Sequence, residues 1–451
     1  MQPNRDQGLL SSVSATQASN VVRAISGVVK VWLLVPFFGR DLYGLWATMS
    51  SWLIVIAMID LGVGAGLQNQ ISREAEPSRR KALIQGTGLL YLVMVALLAL
   101  CYLAIRERVL GWGVSHLSLS ALSRGYFRSS CDLLVALAIS QLLVEPLRRS
   151  VLGWRQVASF YWAMTGADLA QLGLMAWGVN SGWPIQAFLV VLGLTPVSAA
   201  FVAFMLAMKR GIGSGWFRWE GSIGGSLRIL AKGIPFGFVR LLGLLNLQSI
   251  PTLLLWIISD AAVSEFSIPM RLAAVSVQAL YGIGNVYWPR LAAHGNDRDE
   301  FARCLGLVLF VGVLGAVALA AALPLVVHLL SHAEVGATYL QSTGFALWML
   351  FAGVGFAFTV RAYAADAFLL VLFAVLCQVV VQLGATLILL HHGSPASLGW
   401  SLLIGELAKW PLFAVFLRTT GRESLSAAFA GGFRESLIAL GRIRRRMRGG
   451  R

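Results

Sequence analysis

Residues 305–330 read LGLVLFVGVLGAVALAAALPLVVHLL, a run of 26 positions without a single Lys, Arg, Asp or Glu. At 1.5 Å per residue such a run, as a helix, reaches about 39 Å, more than the roughly 30 Å of a bilayer's hydrocarbon core. It has no period-two alternation, so it does not read as a barrel strand, whose segments are about ten residues long. Residues 82–105 have the same character. Apolar residues make up 57% of the 451 positions and charged ones 12%, with a mean hydropathy of +0.75, which excludes a soluble globular domain. The chain reads as an all-α polytopic membrane protein.

Extending the reading in windows of about 19 residues gives spans near 14–38, 43–67, 82–105, 131–152, 158–179, 185–208, 233–258, 263–286, 305–330, 342–363, 366–390 and 397–417, about twelve helices. The net charge of +16 is read by position. With the amino terminus placed inside, 26 of the 36 Lys and Arg fall on the inner side. Outside lie only Arg40, Arg106, Arg108, Arg124 and Arg128, and Arg23, Lys30, Arg240, Arg271 and Lys409 lie within helices. That asymmetry predicts both termini in the cytoplasm, and it gives the basic charge a membrane rather than a nucleic-acid meaning. The first apolar stretch carries no A-x-A-like cleavage site and is expected to be retained as a helix.

Val22-Arg23 and Val239-Arg240 each open a helix pair, and each pair closes on an arginine 50 residues later, at Arg73 and Arg290. The spacing suggests two parallel six-helix lobes around a central cavity. The expected division is a cytoplasmic amino terminus at 1–11, an N-lobe at 12–208 and a Gly-rich basic linker at 209–232. A C-lobe at 233–417 and a cytoplasmic basic tail at 418–451 follow. Within the tail, Phe433–Arg448 mixes Leu and Ile with arginines and reads as an interfacial helix on anionic lipid.

Charge at mid-bilayer depth costs at least about 2.5–3.5 kcal/mol, so the intramembrane ionisable residues are the candidate functional groups. Arg23 and Lys30 are two helical turns apart and share a face of the first helix. With Arg240 and Arg271 they supply a basic interior from both halves of the chain, suited to an anionic substrate. Asp168, near the middle of its helix, can pair with such a base or take up a coupling cation. Asp60 opens Asp60-Leu-Gly-Val-Gly-Ala-Gly, where glycines permit close packing or a helix break, and is assigned a structural or gating role. Glu406 and Lys409, at i and i+3, read as a structural ion pair. Glu145 with Arg148 and Arg149 reads as a solvated cluster at a helix end. The Gly-x-Gly-x-Gly runs at 62–66 and 211–215 lack the context of a nucleotide site, and His328 and His332 lack enough further ligands for a metal. The four cysteines have no CxxC spacing and read as small hydrophobes. No catalytic residue, cofactor or metal is expected.

Phe38-Gly-Arg-Asp-Leu-Tyr-Gly-Leu-Trp, then Ile59-Asp-Leu-Gly-Val-Gly-Ala-Gly-Leu and its basic inner loop, resemble the opening of bacterial polysaccharide flippases. These belong to the multidrug/oligosaccharidyl-lipid/polysaccharide exporter superfamily. Phe266-Ser-Ile-Pro-Met-Arg-Leu and Trp288-Pro-Arg-Leu-Ala resemble the matching helix pair of the second lobe there and in lipid II flippases. The resemblance implies flipping of an undecaprenyl-diphosphate-linked oligosaccharide (an O-antigen type of glycan) across the bacterial inner membrane by alternating access, driven by a Na+ or H+ gradient. Glycan polymerisation machinery is an implied partner. It also implies that cavity bases meet the diphosphate, with Arg271 matching the arginine that does so in lipid II flippases and Arg23 matching by its place in the first helix. The sequence shows no sign of the two extra carboxy-terminal helices of lipid II flippases, and its first helix is basic where cationic-drug exporters are acidic. Export of another amphiphile on the same fold is the runner-up. A membrane oligosaccharide polymerase or ligase is disfavoured because no outer loop exceeds about 25 residues, too short for the long catalytic loop such enzymes carry.

Overall fold

A computed structural model describes residues 5–56, 60, 62–74, 76–154, 156–209, 223–293, 298–365, 367–392, 395–421, 424–435 and 437. Among these the regular elements are helices: α1 Arg5–Ile56, α2 Val63–Arg73, α3 Pro77–His116, α4 Ala121–Gly153, α5 Val157–Asn180, α6 Ile185–Lys209 and α7 Ile223–Ile257. They continue as α8 Asp260–Ala293, α9 Arg298–Leu330, α10 Tyr339–Ala364, α11 Phe368–His392, α12 Leu398–Leu407 and α13 Trp410–Gly421. Ten helical stretches among the described residues are long and apolar enough to cross a membrane. The helix α5 is also long enough, at 24 residues, although Asp168 and Gln171 dilute its apolar character.

The first two expected spans meet inside α1 at Gly39, whose φ of 66° lies in the left-handed region that glycine tolerates and separates two helical stretches across a kink. The end of the second span needs correction. The second span does not run on to residue 67. It ends at Ile56 and the helix resumes as α2 at Val63, with Asp60 and Gly62 in turns between them and Gly62 at φ 78°. The cause is local: the Asp60 carboxylate accepts from the backbone N–H groups of Gly62 (3.1 Å) and Gly64 (3.3 Å), capping the first turn of α2. Elsewhere, polar side chains cap the starts of α4 and α10. Ser120 accepts from the N–H of Ser123 at the head of α4, and Thr338 from that of Gln341 at the head of α10.

The chain's contacts fall into two compact units, Met1–Ser264 and Glu265–Arg451. In the first, α1 packs along α5, α4 lies between α3 and α6, and α7 runs beside α1, α2 and α3. The far end of α7 is tied in by hydrogen bonds from Ser118 N–H to Leu255 O (2.8 Å) and from Trp52 Nε1 to Thr252 (2.7 Å). Gly44 lies against the backbone carbonyl of Asp260 so closely that no side chain fits there. In the second unit α10 packs on α9 and α12, and α11 on α12. Its aromatic centre stacks Phe358 on Phe413 and Trp410 on Phe429, which brings helical residues 425–435 back onto the unit. Most of the segment expected as an interfacial helix, from residue 438 on, lies outside the described residues.

Apolar side chains such as Leu103, Val317 and Ile388 face outward, while Ser26, Asp60, Thr87, Asp168, Gln382 and Glu406 are buried. This inside-out polarity is what a lipid solvent selects, since polar groups there need protein partners.

Candidate functional site

Among the ionisable residues inside the described helices, Arg106 of α3 pairs with Asp132 of α4 (Nη2 to Oδ2 2.6 Å), and three further arrangements involve more deeply placed groups. In the first unit, Arg23 on α1 reaches Asp168 on α5, Nε to Oδ2 3.6 Å, across the α1–α5 packing. The acid's side chain is 8% exposed, whereas the base's is 50% exposed. At 3.6 Å the pair is an ion contact with donors to spare. Arg23 sits five residues, about 7.5 Å of helix, inside the candidate span Ala18–Ile56. Lys30, on the same helix, is half-buried and has contacts of its own.

The second arrangement surrounds Asp60. Its carboxylate, besides capping α2, accepts from the Tyr91 hydroxyl of α3 at 3.1 Å. Arg149 of α4 lies within the same cluster. Its Nε donates to Glu145 at 2.7 Å and its Nη1 to Gln68 of α2 at 3.0 Å. Glu145 and Arg149 are each only 9% exposed. This corrects the expectation of a solvated helix-end cluster: α2 and Tyr91 cover what α4 alone leaves open, and two acids balance two arginines in a buried network. The sequence signal was the polar residue content of 60–73 facing a Glu-x-x-Arg-Arg helix end, but only the helix break at Asp60 brings them together.

The third arrangement is in the second unit. Lys409 Nζ lies 2.5 Å from Glu406 Oε1, with side chains 9% and 2% exposed, and Gln378 Nε2 of α11 donates to the other carboxylate oxygen at 2.8 Å. The pair sits where α12 ends at Leu407, before α13 starts at Trp410. Gln378, Gln382 and Thr386 form a buried stripe at four-residue intervals along α11. Arg271 is half-buried on α8 with contacts of its own. Arg240 belongs to α7, but its side chain lies outside the described residues. Among the described residues no group of three or more potential ligands could hold a metal ion.

The described residues thus form helices of spanning length that hold buried acids against bases. Neither a protein-family model nor a curated protein sequence matches the chain. Solved structures do. The chain is similar to a structure described as lipid II flippase MurJ in an inward closed conformation, at TM-score 0.71 and 11% identity, covering 96% of this chain and 91% of that one. It is equally similar to an inward-facing multidrug resistance MATE family transporter of the MOP superfamily, at TM-score 0.71 and 15% identity over 89% and 96% of the two chains. For an outward-facing MATE structure the TM-score is 0.65, at 13% identity over 93% and 96%. The fold of this protein is the one these solved structures share.

Proposed function

We propose that the protein flips an undecaprenyl-diphosphate-linked oligosaccharide from the inner to the outer leaflet of a bacterial inner membrane, by alternating access, for cell-surface polysaccharide biosynthesis. The observation that carries this reading is Arg23, a guanidinium within the first candidate span that keeps half its side chain open while the buried acid Asp168 stands at 3.6 Å. A lipid diphosphate is the natural counter-ion for such a base, because charge-assisted hydrogen bonds to phosphate are roughly twice as strong as neutral ones. Lys30, Arg240 and Arg271 extend the basic path in this reading, which treats 12–208 and 233–417 as two lobes moving about the 209–232 linker with both termini inside. Transport requires that each facing state hold the diphosphate only weakly enough to release it, so an acid that competes for Arg23 is useful. Asp168 is that competitor and the group through which a Na+ or H+ gradient couples to release. Asp60 gates by holding the break before α2. The basic tail rests on anionic lipid, and the product passes to polymerisation machinery.

The likeness to MATE transporters favours a second reading, export of a drug or another amphiphile. One experiment separates the two. In cells expressing Arg23→Ala, Arg23→Lys or Arg271→Ala at matched protein levels, lipid-linked glycan is measured on each side of the inner membrane. Glycan trapped on the cytoplasmic face by the alanine variants, with partial recovery in Arg23→Lys, is the expected result. Normal glycan export alongside lost drug resistance assigns the protein to the second reading.

A further inference from the structure

Between α5 and α6 lies an elongated cavity of about 720 Å3, within the range of small-molecule sites. Ala167, Ala170 and Leu174 line one wall and Ala187 and Leu194 the other, with Trp183 at one end. The alanines leave the space. Gln171 and Val191 also line it and join the two helices through Gln171 Nε2 to Val191 O (3.4 Å), while the partly exposed Leu174 and Leu194 form the lips. From Ala187 to Ser198 the groove follows α6 for about 17 Å, close to half a hydrocarbon core of about 30 Å. Thr195 and Ser198, at the far end, donate to backbone carbonyls of their own helix at 2.7 and 2.9 Å and offer the groove no free donor. At the Trp183 end the backbone N–H of Trp183 donates to Gly178 O at 2.9 Å and its ring meets that of Trp177 at 5.0 Å, the sort of aromatic anchor found at a membrane interface. A dry, side-open trough of one-leaflet length fits a hydrocarbon chain.

What distinguishes this trough from ordinary lipid-facing surface is its neighbour. Asp168 follows Ala167 on the wall helix and is one turn from Gln171, and it holds Arg23. An anionic lipid whose phosphate engages Arg23 therefore finds the trough within a helical turn of its headgroup. We propose that the α5–α6 groove holds the isoprenoid chain of the lipid diphosphate while the headgroup rests at Arg23. The inference rests on the lipid-linked glycan reading and adds to it the subsite for the tail. Ala167 and Ala170, three residues or about 4.5 Å apart along the wall, offer notches for the methyl branches that distinguish an isoprenoid from a straight acyl chain.

The test uses the full-length protein in lipid nanodiscs with two photoreactive probes. One is a sugar-free polyprenyl diphosphate carrying a diazirine in its chain, and the other is phosphatidylglycerol carrying one in an acyl chain. At equal mole fraction the polyprenyl probe is expected to label residues 167–198 several-fold more than the phospholipid. Ala170→Trp, at an exposed position that fills the groove, should bring that preference down to the phospholipid level. Ala187→Phe repeats the block from the other wall in case the first variant is poorly folded. Equal labelling by both probes overturns the proposal and makes the groove part of the lipid annulus. Glycan export in the same variants keeps the two readings apart. Export lost in Arg23→Ala with no probe preference removes the tail site and leaves the flippase. Probe preference abolished by Ala170→Trp, with normal export in Arg23→Ala, removes the flippase and leaves an isoprenoid-lipid site.

Discussion

Among the described residues each unit sets acids against bases inside its helices, and two of these pairs, one from each unit, are built differently. Glu406 and Lys409 are three residues apart, 2.5 Å in contact, and both hidden, with Gln378 taking up a further carboxylate oxygen. Arg23 and Asp168 come from helices 145 residues apart in sequence, stand 3.6 Å apart, and hide only the acid. A closed pair like the first has satisfied both charges within protein and has nothing left to offer a ligand. A half-open pair retains donors on the base and keeps the acid as a nearby competitor. The contrast separates a structural element from a candidate substrate contact without any appeal to similarity with other proteins.

The comparison is broken most directly in the second unit. Lys409→Met or Glu406→Gln leaves one charge buried alone, and each is expected to cost about 3–5 kcal/mol, read as a large fall in Tm of the purified protein in detergent. The double variant should return most of that loss, since replacing a buried pair by neutral groups is often close to neutral. A single variant with the parent Tm would mean that water reaches the pair and that the contrast is false.

A smaller effect is expected from Arg23→Ala. It strands the Asp168 carboxylate, so about 1–3 kcal/mol is expected, the usual cost of an unsatisfied buried polar group. Thermal unfolding of Arg23→Ala beside Arg23→Lys checks this: the lysine, which restores the charge, should return most of the loss. No recovery with lysine would assign Arg23 to packing.

These pairs also mark what a sequence can disclose about such a protein. The helices of spanning length among the described residues follow from apolar runs of the 305–330 kind, because lipid demands continuous helices and the chain has to show them. The break at Asp60 was within reach, since Asp followed by glycines caps a new helix turn, yet hydropathy alone carried the second span through it. Glu406 and Lys409 were legible because helix geometry alone brings i and i+3 together. The Arg23–Asp168 contact was not, since nothing local says which of several bases an acid on another helix will meet. Nor was the burial of Glu145 and Arg149, which depends on α2 folding back over α4 through Gln68.

The smallest effect is also the sharpest. Asp168→Asn removes the acid and leaves Arg23 with its exposed half still hydrated, so stability should change by no more than about 1 kcal/mol, as for an exposed ion pair. In the closed pair, by contrast, either partner's loss is costly, and this inequality between the two units is the core of the comparison. If the acid serves to loosen the base's hold on a diphosphate, Asp168→Asn should bind a polyprenyl diphosphate more tightly than the parent while exporting less glycan, because release becomes the slow step. Tighter binding with faster export would make Asp168 a mere obstacle. Weaker binding would mean that the acid orients Arg23 for its ligand, the role that a pair held at 3.6 Å, with no hydrogen bond to the acid's Oδ2, is least suited to play.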